Sequence, residues 1–210
     1  MYLDLSREIC EDTQVFPLYP KVKILTWAKH DIHGFRSEVI YTITHVATHM
    51  DAPLHFIENG LSIDKISIEK FIGYAVVIDV SNRHVVTGRD IESCIKNVEY
   101  REGDAIFLYT GWEDMYGRDE YVYRCPGISK DAAEFLVSLK PSLVGIDSPS
   151  IDPAESTTFE AHKILLSNNI PIIENLCNLK HVLNRRVRYY AIPLKIVNAT
   201  ASPVRVIVEV

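Results

Sequence analysis

Residues Tyr74 to Val80 read YAVVIDV, a short apolar run rich in β-branched side chains. Such a run, bounded by polar or turn residues, has the pattern of a buried strand. DAIFLYT (Asp104 to Thr110), SLVGID (Ser142 to Asp147) and PIIEN (Pro171 to Asn175) repeat it. Between these runs, Gly88 to Asn97, Lys130 to Lys140 and Thr158 to Asn168 carry apolar residues at helical spacing. Ser129 is placed to cap the second of these helices, and Thr157 with Glu160 to form a capping box on the third. The flanking stretches EVIYTIT (Glu38 to Thr44), RYYAIPLKI (Arg188 to Ile196) and RVIVEV (Arg205 to Val210) alternate instead, which predicts strands with one solvated face and some antiparallel pairing. The expectation is a mixed α/β fold and not a regular doubly wound sheet.

The chain has 210 residues and is 47% hydrophobic, enough for a substantial core, and no repeat or Pro/Gly/Ser linker divides it. One domain spanning residues 1–210 is therefore expected. A formal net charge of −6 removes the general attraction to phosphate backbones, so nucleic acid is not an expected partner. MYLDLSREICEDTQ lacks the basic start and apolar run of a signal peptide, and no later stretch is long enough to cross a bilayer, which predicts a cytoplasmic protein without membrane association. Cys10, Cys94, Cys125 and Cys177 form no CxxC pair and read as reduced packing residues.

Just ahead of the buried strands, His45 to His55 read HVATHMDAPLH, which puts three of the chain's eight histidines and an aspartate into eleven residues. On a helix, Asp51 would lie about 160° around the axis from His49, and the metalloprotease HExxH pattern is broken because Val46 follows the first histidine. On a straight strand, His45 and His49 would share a face but stand about 13 Å apart, too far to reach one ion. The chain must bend. Ala47 and Thr48 are small enough to allow it, Pro53 stops a strand from continuing, and the alternating EVIYTIT would deliver His45 at a strand end. With that bend, His45, His49 and Asp51 can converge on a divalent cation with positions left open, and His55 can face the open side as a proton carrier. His162 shares a helix face with Phe159, Leu165 and Leu166, and Glu174 ends the apolar run PII. Both are polar groups aimed inward that need partners; a satisfied core histidine with a strand-end carboxylate, and a cation site, are alternative readings.

HVATHMDAPLH resembles the signature HxGTHxDxPxH of the cyclase family of metal-dependent hydrolases, which includes bacterial kynurenine formamidases (arylformamidases) and isatin hydrolases. Only Ala47 departs from its fixed positions. VGIDSPSID (Val144 to Asp152) and IPIIENLCNL (Ile170 to Leu179) resemble later blocks of the family in order and spacing. The resemblance implies a mixed sheet with a β-barrel-like core and flanking helices, of swivelling β/β/α type. It further implies that His45, His49 and Asp51 hold one metal, with Asp51 bridging to a second held by His162 and Glu174, as two Zn²⁺ or as Mn²⁺. His55 corresponds to the catalytic histidine. The implied reaction is hydrolysis of a small amide, N-formyl-L-kynurenine foremost, with opening of a cyclic amide or lactone such as isatin as the alternative, and a metal- or ligand-binding protein without turnover as the other. A homo-oligomer, dimer or tetramer, is implied as well. Family members place an aromatic against the substrate near the amino terminus, which points to Phe16 in VFPLYP, with Tyr19 nearby. If the position of Ala47 has positive φ, alanine there costs about 1 kcal/mol. Asp147 and Asp152 read as part of a turn that shapes the pocket, and Arg185, Arg186 and Arg188 as a solvated face, with a substrate carboxylate as the lesser option.

Overall fold

The structure, a computed structural model, describes all 210 residues. In chain order the elements are β1 (Tyr2–Asp4), β2 (Lys23–Ala28), α1 (His30–His33), β3 (Ser37–Tyr41), β4 (His49–Asp51), β5 (Ile72–Asp79), β6 (Val85–Val86), α2 (Gly88–Ile95), β7 (Ala105–Tyr109), α3 (Glu120–Tyr123), β8 (Gly127–Ile128), α4 (Lys130–Leu139), β9 (Val144–Ile146), α5 (Glu160–Ser167), β10 (Ile172–Glu174), β11 (Arg186–Pro193) and β12 (Ala201–Glu209). The main sheet runs β1-β12-β11-β5-β7-β9-β10-β4, and β4 also pairs with β12. That last pairing closes seven strands into a barrel and leaves β1 on the far end of β12.

The four apolar runs are the parallel and near-central strands β5, β7, β9 and β10, as expected. They are buried on both faces because the sheet separates two cores. Ala75, Val77, Phe107 and Ile173 point into the barrel with Met50, Tyr189 and Val206. Val76, Ile78, Ile106, Val144 and Ile172 point outward, under Ile91 of α2, Leu136 of α4 and Leu165 of α5. The alternating strands β11 and β12 pair antiparallel with each other, and β11 pairs antiparallel with β5. No helix is long and apolar enough to cross a membrane.

Two local expectations are corrected. The capping box Thr157/Glu160 does not form: Phe159 precedes α5 in a left-handed conformation with φ 51°. Asp152 caps the helix from a neighbouring loop, its Oδ1 accepting from Ala161 N at 2.9 Å and its Oδ2 from His162 N at 3.1 Å. A capping box does form at α2, between Thr87 and Asp90, whereas Ser129 caps α4 as expected. EVIYTIT does not run to His45. The strand β3 ends at Tyr41 and pairs only with β2, in a hairpin outside the barrel whose Leu25, Trp27, Ile40 and Tyr41 side chains are mostly exposed.

Candidate active site

The bend expected between His45 and His49 is centred on Ala47, which has φ 51°. Positive φ at a residue with a Cβ is a left-handed conformation that favours glycine. The turn aims the Ala47 carbonyl at the ring of His49, whose Nδ1 lies 2.9 Å from it and donates to it. His49 Nε2 is thereby left to face the site.

After the bend, β4 is inserted between β10 and β12. His49 is the cross-strand partner of Glu174, and Asp51 of Ile172. Residues directly opposite across an antiparallel pair present their side chains to the same face, so this register brings together two residues 125 positions apart in sequence. Met50, between the two polar residues, turns into the barrel core. Asp51 is fully buried, and His49, His162 and Glu174 are nearly so.

Around Asp51 the three rings close in. His45 Nδ1 lies 2.8 Å and His49 Nε2 3.4 Å from Oδ1, and His162 Nε2 is 3.5 Å from Oδ2. Glu174 sits 3.4 Å from His49 Nε2 and 3.1 Å from His162 Nε2. Despite these separations, neither oxygen of Asp51 has a hydrogen-bond partner of acceptable geometry; orientation, and not distance alone, makes a hydrogen bond. A buried carboxylate left in this state costs several kcal/mol unless positive charge answers it. Ligand atoms of His49, Asp51 and Glu174, and separately of His45, Asp51 and His55, all lie within 4.8 Å of one another. Three imidazoles and two carboxylates at this spacing form a nitrogen and oxygen donor set that fits a divalent cation.

The outer nitrogens of the rings are also held. His45 Nε2 is 3.0 Å from the Thr200 hydroxyl, His49 Nδ1 meets the Ala47 carbonyl, and His162 Nδ1 is 2.6 Å from Asp152 Oδ2. Metal-binding histidines show this arrangement, in which an outer partner fixes tautomer and ring orientation. Glu174 Oε1 accepts from Ile151 N at 2.8 Å. Asp152 and Ile151 come close because Gly127 lacks a side chain: a Cβ there would stand 2.2 Å from Pro153 N.

The electrostatics follow from burial. Desolvation disfavours a charged ring at His49, but the Asp51 and Glu174 carboxylates outweigh it and push the pKa up to about 10. The same contest raises His162, with Asp152 foremost among its partners. Burial alone would raise Asp51 and Glu174, yet the facing rings hold Asp51 well below the ordinary carboxylate range and Glu174 below it. His55 differs. Burial dominates there and pushes its pKa down to about 4, so the ring is neutral at physiological pH.

His45, His49, His55, His162, Asp152 and Glu174 line a cleft of about 420 Å³, a size suited to a small molecule. Phe16 and Tyr19 line it, and Tyr19 stacks near His45 at a centroid distance of 6.3 Å. Phe56 and Phe159 line it too, Phe56 packing 4.6 Å from the His162 ring. Of the residues read as a turn, Asp152 takes part in the site and Asp147 does not line it. Arg186 is bound to Asp104 at 2.7 and 2.8 Å and is not part of the cleft. Sequence reasoning missed Thr200, Phe56 and the role of Asp152; Thr200 and Asp152 reach the site from distant segments, and Phe56, directly after His55, carries no signal beyond being apolar.

A polar cluster able to take a cation stands beside a largely apolar cleft on a closed barrel. The chain belongs to the Cyclase family, whose model matches residues 3–153. It is 29% identical to the kynurenine formamidase of Bacillus mycoides (strain KBAB4) over 210 residues, which covers 99% of this chain and 97% of that one. It is 34% identical to the kynurenine formamidase of Erythrobacter litoralis (strain HTCC2594) over 166 residues, covering 79% and 73%. Isatin hydrolase A from Labrenzia aggregata, solved with benzyl benzoate, has a TM-score of 0.90 at 26% identity, covering 99% of this chain and 93% of that one. A structure described as a potential metal-dependent hydrolase with cyclase activity has a TM-score of 0.82 at 28% identity, covering 99% and 96%. The family and barrel-like fold expected from the HVATHMDAPLH signature are thus the ones found.

Proposed function

We propose that the protein is a metal-dependent amidohydrolase that cleaves a small aryl amide, with N-formyl-L-kynurenine, split to formate and kynurenine, as the leading substrate. The observation that carries this reading is the buried Asp51, whose unpartnered oxygens face three imidazoles beside Glu174. On this reading His45, His49 and Asp51 would hold one ion, and Asp51, His162 and Glu174 a second, with zinc or manganese as the metal. A cation there would supply a water ionised near neutral pH and polarise the amide carbonyl. The chain's own residues do the rest. His55, neutral and in reach of the cluster, takes a proton from the attacking water and returns it to the departing amine. Phe16, Phe56 and Phe159 shelter the aryl ring and keep bulk water from the reacting carbon. Kynurenine formamidase relatives support the amide; the isatin hydrolase neighbour supports opening of a cyclic amide as a related activity.

The same reading includes one domain, a cytoplasmic location and a homo-oligomer. The apolar residues exposed on the β2-β3 hairpin support the oligomer, since an isolated two-stranded hairpin is marginal in water. Formate release from N-formyl-L-kynurenine, measured beside metal content on the purified protein, tests the function. His55→Ala should keep its metal and lose about 10²- to 10⁴-fold in kcat; full activity in that variant refutes the role of His55.

A further inference from the structure

We propose that Asn175 is a catalytic residue: held in place by Tyr121, its side-chain amide donates a hydrogen bond to the carbonyl oxygen of the bond being cleaved. This rests on the hydrolase reading above and adds to it a residue outside the cation-binding set and His55. Asn175 follows Glu174 directly and takes a left-handed backbone conformation, φ 59°, which asparagine tolerates better than most residues with a side chain. The chain leaves β10 at this point, and Asn175 lines the cleft. Most of its hydrogen-bonding capacity is already spent on the protein. Its N–H donates to the Ser148 carbonyl at 2.9 Å, its C=O accepts from the Thr48 hydroxyl at 2.6 Å, and its Oδ1 accepts from the Tyr121 hydroxyl at 2.9 Å. Ser148, Thr48 and Tyr121 are themselves buried. What is left is Nδ2, which meets no acceptor in the protein and is open to the cleft.

A donor fixed in this way needs no reorganisation when negative charge develops on the oxygen in front of it, and that is what makes such a donor effective. Ser150, Ser156 and Tyr19 also bring neutral hydroxyls to the cleft, but a hydroxyl hydrogen turns about its C–O bond. The sense of the Asn175 amide follows from its neighbours. Turned over, it would aim Oδ1 into a cleft that already holds the Glu174 and Asp152 carboxylates. In the reaction, the oxygen of water bonds to the carbonyl carbon and the C=O π pair moves onto the carbonyl oxygen, where the Nδ2 hydrogen meets it. The pair then returns, the C–N bond breaks, and the departing amine takes the proton that His55 received from the water. One water is consumed, and a carboxylic acid and an amine are released. Tyr121 touches none of the reacting atoms. It is a positioning residue, whose hydroxyl acts by holding Oδ1.

The test follows formate release from N-formyl-L-kynurenine by the zinc-loaded protein. Asn175→Gly suits the left-handed backbone and keeps its bonds to Ser148 and Thr48. It should retain its metal and lose about 10²-fold in kcat, with KM changed by less than about threefold, because the lost bond is strongest in the transition state. An unchanged kcat, or a loss that tracks lost metal, overturns the proposal. Tyr121→Phe should lose about tenfold in kcat by freeing the amide. Made on the Asn175→Gly background, the same substitution should cost nothing further, whereas an equal loss in both backgrounds marks a purely structural tyrosine and refutes its positioning role. Infrared spectroscopy of bound oxindole, a cyclic amide that resists hydrolysis, supplies a readout without turnover. Its carbonyl stretch should rise in frequency from wild type to Asn175→Gly as the hydrogen bond is lost; identical bands, or no binding to either protein, overturn the proposal. If the wild type releases no formate, the hydrolase reading fails by itself, and the infrared comparison still decides whether Asn175 meets a bound carbonyl.

Discussion

Asp51 and Asp147 are both fully buried carboxylates, and they are partnered in opposite ways. Asp147 Oδ1 accepts from Thr110 N at 2.8 Å and Thr110 Oγ1 at 2.6 Å, and its Oδ2 from Glu113 N at 3.3 Å. It ties the ends of two segments together and leaves no acceptor unspent. Asp51 has rings around it and no hydrogen bond of good geometry. The difference separates a structural carboxylate from a ligand in waiting: the first is answered by the backbone, and the second by groups that share its need for a cation. Burial alone does not distinguish them.

Replacing Asp51 should break the comparison most strongly. Asp51→Asn removes the one group that all three rings approach, so metal content should collapse and hydrolysis fall by more than the roughly 10- to 100-fold typical of losing an outer partner; elemental analysis and formate release measure both. Asp147→Asn should leave the metal in place and change stability instead. Burial pushes the Asp147 carboxyl up to about 6 against the pull of its donors. A raised carboxyl binds its proton more tightly in the folded state, so its contribution is present below the unfolded value of 3.8 and lost as pH rises through about 6. Denaturant unfolding of the wild type should show that loss, on the order of 3 kcal/mol, and the asparagine variant should lack that slope.

Asp152 sharpens the contrast, because it serves both purposes. Asp152→Asn should weaken metal binding about 10- to 100-fold by releasing His162, and should cost about 1 kcal/mol at the start of α5, where one of the two backbone donors loses its acceptor. A competition titration with a chromophoric chelator and a melting curve read the two effects separately. The smallest change is expected at the bend. Ala47→Gly relieves the left-handed strain but gives back part of the gain as unfolded-state entropy, for a net stabilisation of at most about 1 kcal/mol and a rise in Tm of about 2–4 °C, with metal content unchanged.

How much of this was legible beforehand follows from where the signals lie. The buried strands, the two alternating carboxyl-terminal strands and the Ser129 cap are local patterns of side-chain size and polarity, and they appear where the sequence pattern puts them. The bend in HVATHMDAPLH follows from distance alone, since neither a helix nor a strand lets its histidines and aspartate meet. EVIYTIT misled because alternation reports that a segment can pair, not which strand it joins. It pairs with β2 in an outlying hairpin. The capping box at Thr157 misled because a local cap competes with any better acceptor the fold brings near, and Asp152 is one.

From the order of residues alone come the mixed α/β class, the lack of a stretch long and apolar enough for a membrane-crossing helix, the kinked histidine motif and its likeness to a hydrolase family. Those properties depend on neighbours within a few positions, which a linear chain records directly. Tertiary structure alone placed Glu174 across from His49, brought Thr200 and Asp152 behind the rings, and left the cleft without a lysine or arginine. Such outcomes are set by strand register and by loops packing across gaps that only a glycine permits, and they depend on contacts between distant segments that no local pattern encodes.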